Sequence, residues 1–431
     1  MFRLTRSQVQ PIGLDIGFEG IKMLQLEVVG GDSLSVVAAA RQPFPDDVRR
    51  DPELRMACAV DLIRQTFRRN HFRGRGVVAA LPREIVHSKN LRLPVIPASE
   101  LAAAVRFEAK NIFPFDTDTA AVRHMAAGEV RQGADVRQEI IALATRDDDV
   151  NNYLEQLHRA GCVVESLDAE PCALYRGIER FIRRREDEQE VHVLVDVGSR
   201  ASLVVVGRGR DVSFIKPIEI GGRHLHEAVS KKLGITLEEA RALRQRLTET
   251  PEEGAGATGT PGAGRRDPVR QAVFDATRSI IEDLGREISL CLRYYSVTFR
   301  GQRPTKLRLL GGESGDAQLL SLLNTALTIP VEAGRPLYSV NISRMKLADR
   351  HGSMGEWAVA LGLALKMTRG HFGARDGKPR DPNAPIPATP APVAEVVDLN
   401  QLPEAPTPGA SPAPVLAGVG AREQEREVAR A

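Results

Sequence analysis

The sequence predicts a mixed α/β protein built as two similar lobes, and three observations carry that prediction. A strand, an Asp-x-Gly turn and a second strand occur at Pro11-Ile12-Gly13-Leu14-Asp15-Ile16-Gly17 running into residues 21–26. The same hairpin returns at Val193-Leu194-Val195-Asp196-Val197-Gly198 running into residues 202–206, so one copy opens each half of the chain, 181 positions apart. A further strand over residues 306–310 enters Gly311-Gly312 and then a helix over residues 316–327.

The elements between these turns follow from local signals. Ser99 reads as the N-cap of a helix reaching Asn111, and residues 148–160 place Val150, Tyr153, Leu154 and Leu157 on one helical face before Gly161 at the C-cap. Thr236-Leu237-Glu238-Glu239 reads as a capping box opening a helix to Leu247, and Asp267 followed by Pro268 opens a long helix to about Val297. Strands are predicted over residues 77–81, 140–144, 163–167 and 212–219.

Composition excludes several classes. At 431 residues there is room for two or three domains, and 42% apolar with 27% charged residues is ordinary for a soluble globular protein, which excludes a disordered, collagenous or disulfide-scaffold chain. Cys58, Cys162, Cys172 and Cys291 lie far apart without a C-x-x-C pair and read as reduced cytosolic thiols. Lys+Arg 59 against Asp+Glu 56 leaves +3 with no basic block, so a dedicated nucleic-acid binder is not expected. No run reaches about 18 apolar residues, and the first six residues lack the apolar core of a secretory signal. A cytoplasmic location is expected, with membrane attachment only through a partner.

Composition also divides the chain. Residues 370–431 hold 11 of the 27 prolines, too little apolar surface to offset the entropy of ordering, and read as a disordered tail. Residues 250–266 read as a flexible loop: the G-x-G-x-x-G within them follows a charged helical segment, not the strand that would aim it at a pyrophosphate. The charged run Arg183-Arg184-Arg185-Glu186-Asp187-Glu188 separates a first lobe, residues 8–188, from a second, residues 189–369.

The glycine turns carry the candidate chemistry. A tight hairpin with glycine lets backbone N–H groups approach phosphates, and the turns at Asp15 and Asp196 can do so from opposite sides. Magnesium prefers one or two carboxylates with waters and phosphate oxygens, so Asp15 and Asp196 are the candidate metal ligands. For a single such turn an ordinary hairpin is the competing reading; two copies and a Gly-Gly turn strengthen the functional one.

In pattern and order these turns resemble the actin-like, heat-shock-protein-70-like ATPase superfamily, with phosphate turns at residues 15–22 and 196–202 and an adenosine turn at residues 310–313. Within it the sequence is most similar to the PilM family of type IV pilus assembly proteins. The likeness rests on Ile12-Gly13-Leu14-Asp15-Ile16-Gly17 with Lys22, on Phe113-Pro114-Phe115-Asp116, and on Gly221-Gly222-Arg223-His224-Leu225. Leu233-Gly234 before Leu237-Glu238-Glu239-Ala240, and Tyr294-Tyr295 in the long helix, complete it.

The resemblance spans roughly residues 8–368. It implies an actin-like (ribonuclease-H-like) two-lobed fold, each lobe on a five-stranded mixed sheet. It also implies a subdomain inserted in the first lobe at about 42–150 and a helical insertion in the second at about 235–300. It implies ATP and Mg2+ bound between the lobes. The implied cofactor contacts are Asp15, Gly17, Phe18, Glu19 and Lys22 in the first turn, Asp196, Gly198, Ser199 and Arg200 in the second, and Gly311, Gly312 and Glu313 in the third, with Arg244 on a nucleoside-facing helix. The implied role is a cytoplasmic scaffold at the inner membrane, recruiting a pilus assembly partner through that partner's short cytoplasmic N-terminal peptide. Self-association stays open.

Several residues depart from the family pattern. Phe18 and Glu19 stand where small hydroxyl residues are usual, and a carboxylate aimed at the β/γ phosphates would repel them unless it turns outward. Arg200 offers a fork of donors to a phosphate or else pairs with a surface carboxylate. Slow or absent hydrolysis is therefore expected. The stretch from Ala160-Gly161 to Glu170-Pro171 is similar to the connection that carries a water-orienting glutamate in related ATPases, which makes Glu170 the catalytic candidate; capping the helix that begins at Pro171 is the alternative.

Other constellations are weak. His224 and His226 face different ways on a helix, and His158 with Cys162 lacks an orienting third group. No Walker A, HExxH or GxSxG motif occurs. Two rival readings remain: an actin-fold phosphotransferase of the sugar-kinase type, for which no acceptor-activating Asp is evident, and a polymerising cell-division-like actin homologue, which the charged chain end does not equip for membrane insertion. Last, Val396-Val397-Asp398-Leu399-Asn400-Gln401-Leu402-Pro403 is similar to the Ile-Asn-Leu-Leu-Pro peptide with which partners of PilM-like proteins dock. The tail segment 396–403 thus becomes a candidate competitor for the chain's own groove, or else chance aliphatics in a spacer.

Overall fold

The structure is a computed structural model that describes residues 8–30, 33–132, 135–249, 267–299, 303–350, 353–368 and 395–397. The expected flexible loop at 250–266 lies outside the described residues, as does the expected tail at 370–431 apart from residues 395–397.

The chain opens with β1 (Gln8–Val9), β2 (Ile12–Ile16), β3 (Gly20–Val29) and β4 (Ser33–Pro43), in which β3 pairs antiparallel with each of the others. Helix α1 (Pro52–Arg69) starts where the Asp51 carboxylate accepts from the backbone N–H of Glu53 and Leu54, with Pro52 in its first turn. β5 (Gly76–Ala80) then joins β2 in parallel. A separate small sheet follows, from β6 (His87–Pro94), α2 (Ala98–Ile112), β7 (Ala120–Gln132) and β8 (Asp135–Arg146). α3 (Asp147–Arg159) and β9 (Val163–Asp168) return to the first sheet, and α4 (Glu170–Glu179) leads out of it.

The second half repeats the plan. β10 (Val191–Val197), β11 (Ser202–Arg208) and β12 (Asp211–Ile218) form an antiparallel meander, followed by α5 (Gly222–Leu233), α6 (Leu237–Glu249) and α7 (Pro268–Thr298). β13 (Leu307–Gly311), α8 (Ala317–Ala326) and β14 (Val331–Ala333) extend the sheet in parallel. β15 (Val340–Asn341), α9 (Leu347–Arg350) and α10 (Ala358–Ala364) follow, and β16 (Glu395–Val397) is described in the tail.

The two large sheets run β15-β4-β3-β2-β5-β9, with β1 beside β3, and β12-β11-β10-β13-β14. With β1 and β15 set aside, both read third, second, first, fourth, fifth in order of appearance. This is the duplication that the paired Asp-x-Gly hairpins predicted, and its strand order agrees with the two-lobed fold that the resemblance implies. The first sheet has seven strands rather than five, because β1 and β15 add to it.

Within the expected 42–150 insertion, β5 belongs to the large sheet, and the separate sheet begins at His87. Ser99 is not an N-cap: α2 begins at Ala98 behind Pro97, whose fixed φ of −55° already suits the helix entry. The capping box at Thr236 holds, with its hydroxyl and N–H both donating to Glu239 at 2.8 Å.

Helix α10 couples the lobes. Ala360, Leu361 and Ala364 pack under β3 and β4 with Leu24, Leu26 and Val36, while Ala358, Val359 and Leu363 join the core of α4 and the second sheet. The approach is close: a Cβ on Gly13 would collide with the Ala360 carbonyl oxygen, and one on Gly362 with that of Ala173.

Candidate functional site

Three glycine turns meet where the two sheets face each other. The first is the β2–β3 hairpin, in which the Gly17 N–H donates to the Gly20 carbonyl at 3.0 Å. Asp15 and Lys22 are cross-strand partners, and the Lys22 ammonium lies 3.2 Å from Asp15 Oδ2. The second turn joins β10 to β11, with Asp196 buried one residue from the strand end. The third ends β13 at Gly311, which pairs with Val197, so the register of parallel strands places it beside the second turn. Gly311 has φ +86°, and a Cβ there would meet the Val197 backbone, whereas a Cβ on Gly312 would meet nothing within 4 Å.

Asp15, Asp196 and Glu170 form one electrostatic cluster with Lys22 and Arg83. Burial raises the Asp196 carboxyl to about 7, reinforced by Glu170 and Asp15 and opposed by Lys22 and Arg83. Glu170 is likewise raised, first by burial, with Arg83 opposing and Asp15 adding. Burial alone would lower Lys22, but Asp15, Glu356 and Asp196 outweigh it and raise the ammonium. Three carboxylates thus face two cations.

Glu170 is the first residue of α4 and does not cap it. The cap position is Ala169, without a side-chain bond, and the Glu170 carboxylate instead pairs with Arg83 at 3.3 Å.

The residues that break the family pattern are occupied elsewhere. Glu19 accepts from the Ser199 hydroxyl at 2.6 Å and pairs with Arg241 of α6 at 2.7 Å and Arg49 at 3.2 Å. Phe18 has two guanidinium groups against its ring, Arg55 at 4.7 Å and Arg200 at 5.1 Å from the ring centre. Arg200 therefore stacks across the cleft onto the first turn and pairs with no surface carboxylate among the described contacts.

Arg244 is buried on α6 rather than on a solvated face. Its guanidinium pairs with Glu313 at 2.8 Å and Asp316 at 2.7 Å and contacts His226 Nδ1 at 2.9 Å. Burial, with the Arg244 and Arg241 charges, pushes His226 down to about 3, so its imidazole is neutral at pH 7. His224 accepts from the Gly221 N–H at 3.1 Å, a local cap for α5. The Cys162 thiol is buried and pushed up to about 12, which leaves no nucleophile beside His158.

A family model described as "Type IV pilus assembly protein PilM" matches residues 13–256, more than half of the chain. The chain belongs to the PilM family. Among solved structures it is similar to a chain of the "PilM-PilN type IV pilus biogenesis complex" at 24% identity, covering 83% of this chain and 98% of that one, with a TM-score of 0.66. The ethanolamine utilization protein EutJ from Carboxydothermus hydrogenoformans is matched at 13% identity over 83% of this chain and 89% of that one, with a TM-score of 0.46.

For this PilM-family chain the cleft chemistry fits the nucleotide and metal that the family resemblance implies. The excess carboxylate charge around Asp15 and Asp196 is what a divalent cation would relieve. Among the described residues no three His, Cys, Asp or Glu side chains form a ready metal cage. No helix of the described residues is long and apolar enough to cross a membrane.

Sequence reasoning missed Arg83, Arg49, Arg241 and Glu356. Arg241 carried a usable signal, since it lies three residues before Arg244 on the helix that the capping box located. Arg83 carried none, because the single 3-10 turn over residues 83–85 that holds it is too short to leave a period.

Proposed function

We propose that this PilM-family chain binds magnesium–ATP between its two lobes and serves as a nucleotide-responsive scaffold of a type IV pilus or related filament machine. In this reading it stays peripheral to the inner membrane, held there by a partner whose short cytoplasmic N-terminal peptide it recruits. The single observation that carries the nucleotide part is the carboxylate cluster in which Asp15 and Asp196, one from each of the duplicated glycine hairpins, meet Glu170 from the start of α4. The partner part is supported by family membership and by the solved relative, which is a PilM–PilN complex.

Asp15 and Asp196 would hold the metal, through water or directly, and bound magnesium would neutralise phosphate charge. The turns at Gly17 and Gly198 would border the phosphates, with the Gly17 N–H held by the Gly20 carbonyl, and Lys22 would add a cation from the same strand pair. Gly312 leaves room for the nucleoside, and the Arg244–Glu313 pair fixes that wall. In this reading Glu170 would orient a water, and its pairing with Arg83 draws the carboxylate away from that task. Binding therefore outruns hydrolysis.

Calorimetry with ATP, with and without magnesium, tests the assignment. Magnesium is expected to tighten ATP binding to the native chain by about ten-fold or more, roughly 1.4 kcal/mol, and to have no such effect on Asp15→Asn or Asp196→Asn. An equal magnesium increment in all three proteins would remove both aspartates from the site.

A further inference from the structure

The small inserted sheet runs β16-β6-β8-β7, so β6 is its outermost strand but for three residues of the tail. At the opposite edge β7 lies against β12 of the second lobe. Without β16, the outer side of β6 would present a row of unpaired N–H and C=O groups, a template for an added strand. Glu395, Val396 and Val397 stand there in antiparallel register opposite Arg92, Leu91 and Asn90.

β6 is a rigid platform for such an addition. Leu91 and Leu93 are buried with Leu101 and Val105 of α2. Asn90 and Arg92 bond to the buried Glu139 of β8 at 3.1 and 2.8 Å, and Arg92 reaches the Tyr294 hydroxyl of α7 at 3.5 Å. Both faces of the strand are thus fixed by neighbours, and the outer edge is the side left for a new chain.

We infer that the outer edge of β6 is a peptide-docking edge, and that residues 395–397 of the chain's own tail are its resident ligand. The sequence of the tail fits the part. Val396-Val397 is the one adjacent pair of β-branched residues in residues 370–431, and Pro392 and Pro403 bracket it. β-Branched residues suit a strand, and proline cannot donate to a ladder, which confines pairing to this short piece. Twenty-seven positions separate Thr368 from Glu395, a contour of roughly 90 Å at about 3.3–3.6 Å per residue, ample to reach the edge. Tethering supplies an effective concentration on the order of millimolar, so a weak three-residue pairing is occupied in cis.

This goes beyond the nucleotide and scaffold reading, because it requires neither ATP nor a pilus partner. Its consequence is that β6 is closed to any second extended peptide until the tail leaves.

Hydrogen exchange over residues 87–94 tests the inference in the full chain, in full-length Val396→Pro, and in a chain ending at Gly370. The truncation is tolerable because the buried core residues end at Leu365 among those described. Exchange in β6 is expected to rise by about ten-fold in both variants, with β8 unchanged. A synthetic peptide of residues 393–403, added in excess to the truncated chain, is expected to restore protection. Identical β6 exchange in all three proteins would overturn the inference, and so would faster exchange on truncation without any effect of Val396→Pro, since another tail segment would then hold the edge.

Discussion

The Ser199 hydroxyl donates to the Glu19 carboxylate across 2.6 Å, joining the glycine turn of one lobe to the glycine turn of the other. Arg241 of the second lobe adds a 2.7 Å ion pair to the same carboxylate. The residue whose charge looked hostile to phosphate is thus turned aside into a clasp between lobes. Separating the lobes must break it.

The clasp has a pH signature. Burial alone would raise Glu19, but Arg241, the Ser199 hydroxyl and Arg49 outweigh it and hold the carboxyl below its ordinary value. A depressed folded value stabilises above the unfolded pKa, and that stability is lost as pH falls through the folded value. Glu19→Gln is expected to cost about 1 kcal/mol at pH 7, modest because the pair is partly solvated. The cost should fade once acid protonates Glu19 in the native chain. Urea unfolding of both proteins from neutral pH down to about 3 checks this; a constant difference would remove the charge from the account.

Arg244→Ala should be among the costliest single changes. It leaves Glu313 and Asp316 without their cation in a buried setting, for an expected loss of about 3–5 kcal/mol. Asp316 also caps α8 through the N–H groups of Gln318 and Leu319, so the damage should spread to that helix. Denaturant midpoints and exchange in residues 317–326 report the two effects separately.

Turnover of ATP should stay below about 1 per second, the low end for enzymes, because Arg83 holds the carboxylate that would orient water. Glu170→Gln should lower whatever turnover exists while leaving magnesium–ATP affinity within about three-fold, about 0.6 kcal/mol. A phosphate-release assay beside calorimetry measures both. Brisk hydrolysis by the native chain would show that the Arg83 pair does not restrain Glu170.

Gly311 and Gly312 make a matched pair of tests. Gly311→Ala forces a Cβ onto a left-handed backbone and against Val197, and is expected to destabilise by more than about 1 kcal/mol. Gly312→Ala meets no neighbour and should leave stability within about 0.5 kcal/mol, yet weaken nucleotide binding by filling the cleft. Thermal melts and ATP titrations of the two variants separate a structural glycine from a space-giving one.

Much of this was legible in the sequence. The duplicated hairpins pointed to Asp15 and Asp196, and the topology places the two in equivalent strands, each the first of an antiparallel strand–turn–strand pair. What the sequence could not convey was the direction of long side chains. Arg200 and Arg244 were expected near the cleft, but stacking on Phe18 and burial between Glu313 and Asp316 depend on residues brought in from other elements. Local pattern locates a backbone; the partner of a guanidinium is decided by the tertiary fold. The added strands β1 and β15 escaped notice for a related reason, since two-residue strands leave no period to read.

Helix α10 has a consequence for how the chain comes into being. The apolar underside of β3 and β4 is covered by residues beyond 336, including Trp357 and Leu361. A ribosome must therefore release most of the polypeptide before the earliest-made sheet can bury that surface. The first lobe emerges unfinished and exposed, a client for chaperones, and matures together with the second rather than ahead of it. Expressed alone, residues 8–188 would carry that uncovered face into solution.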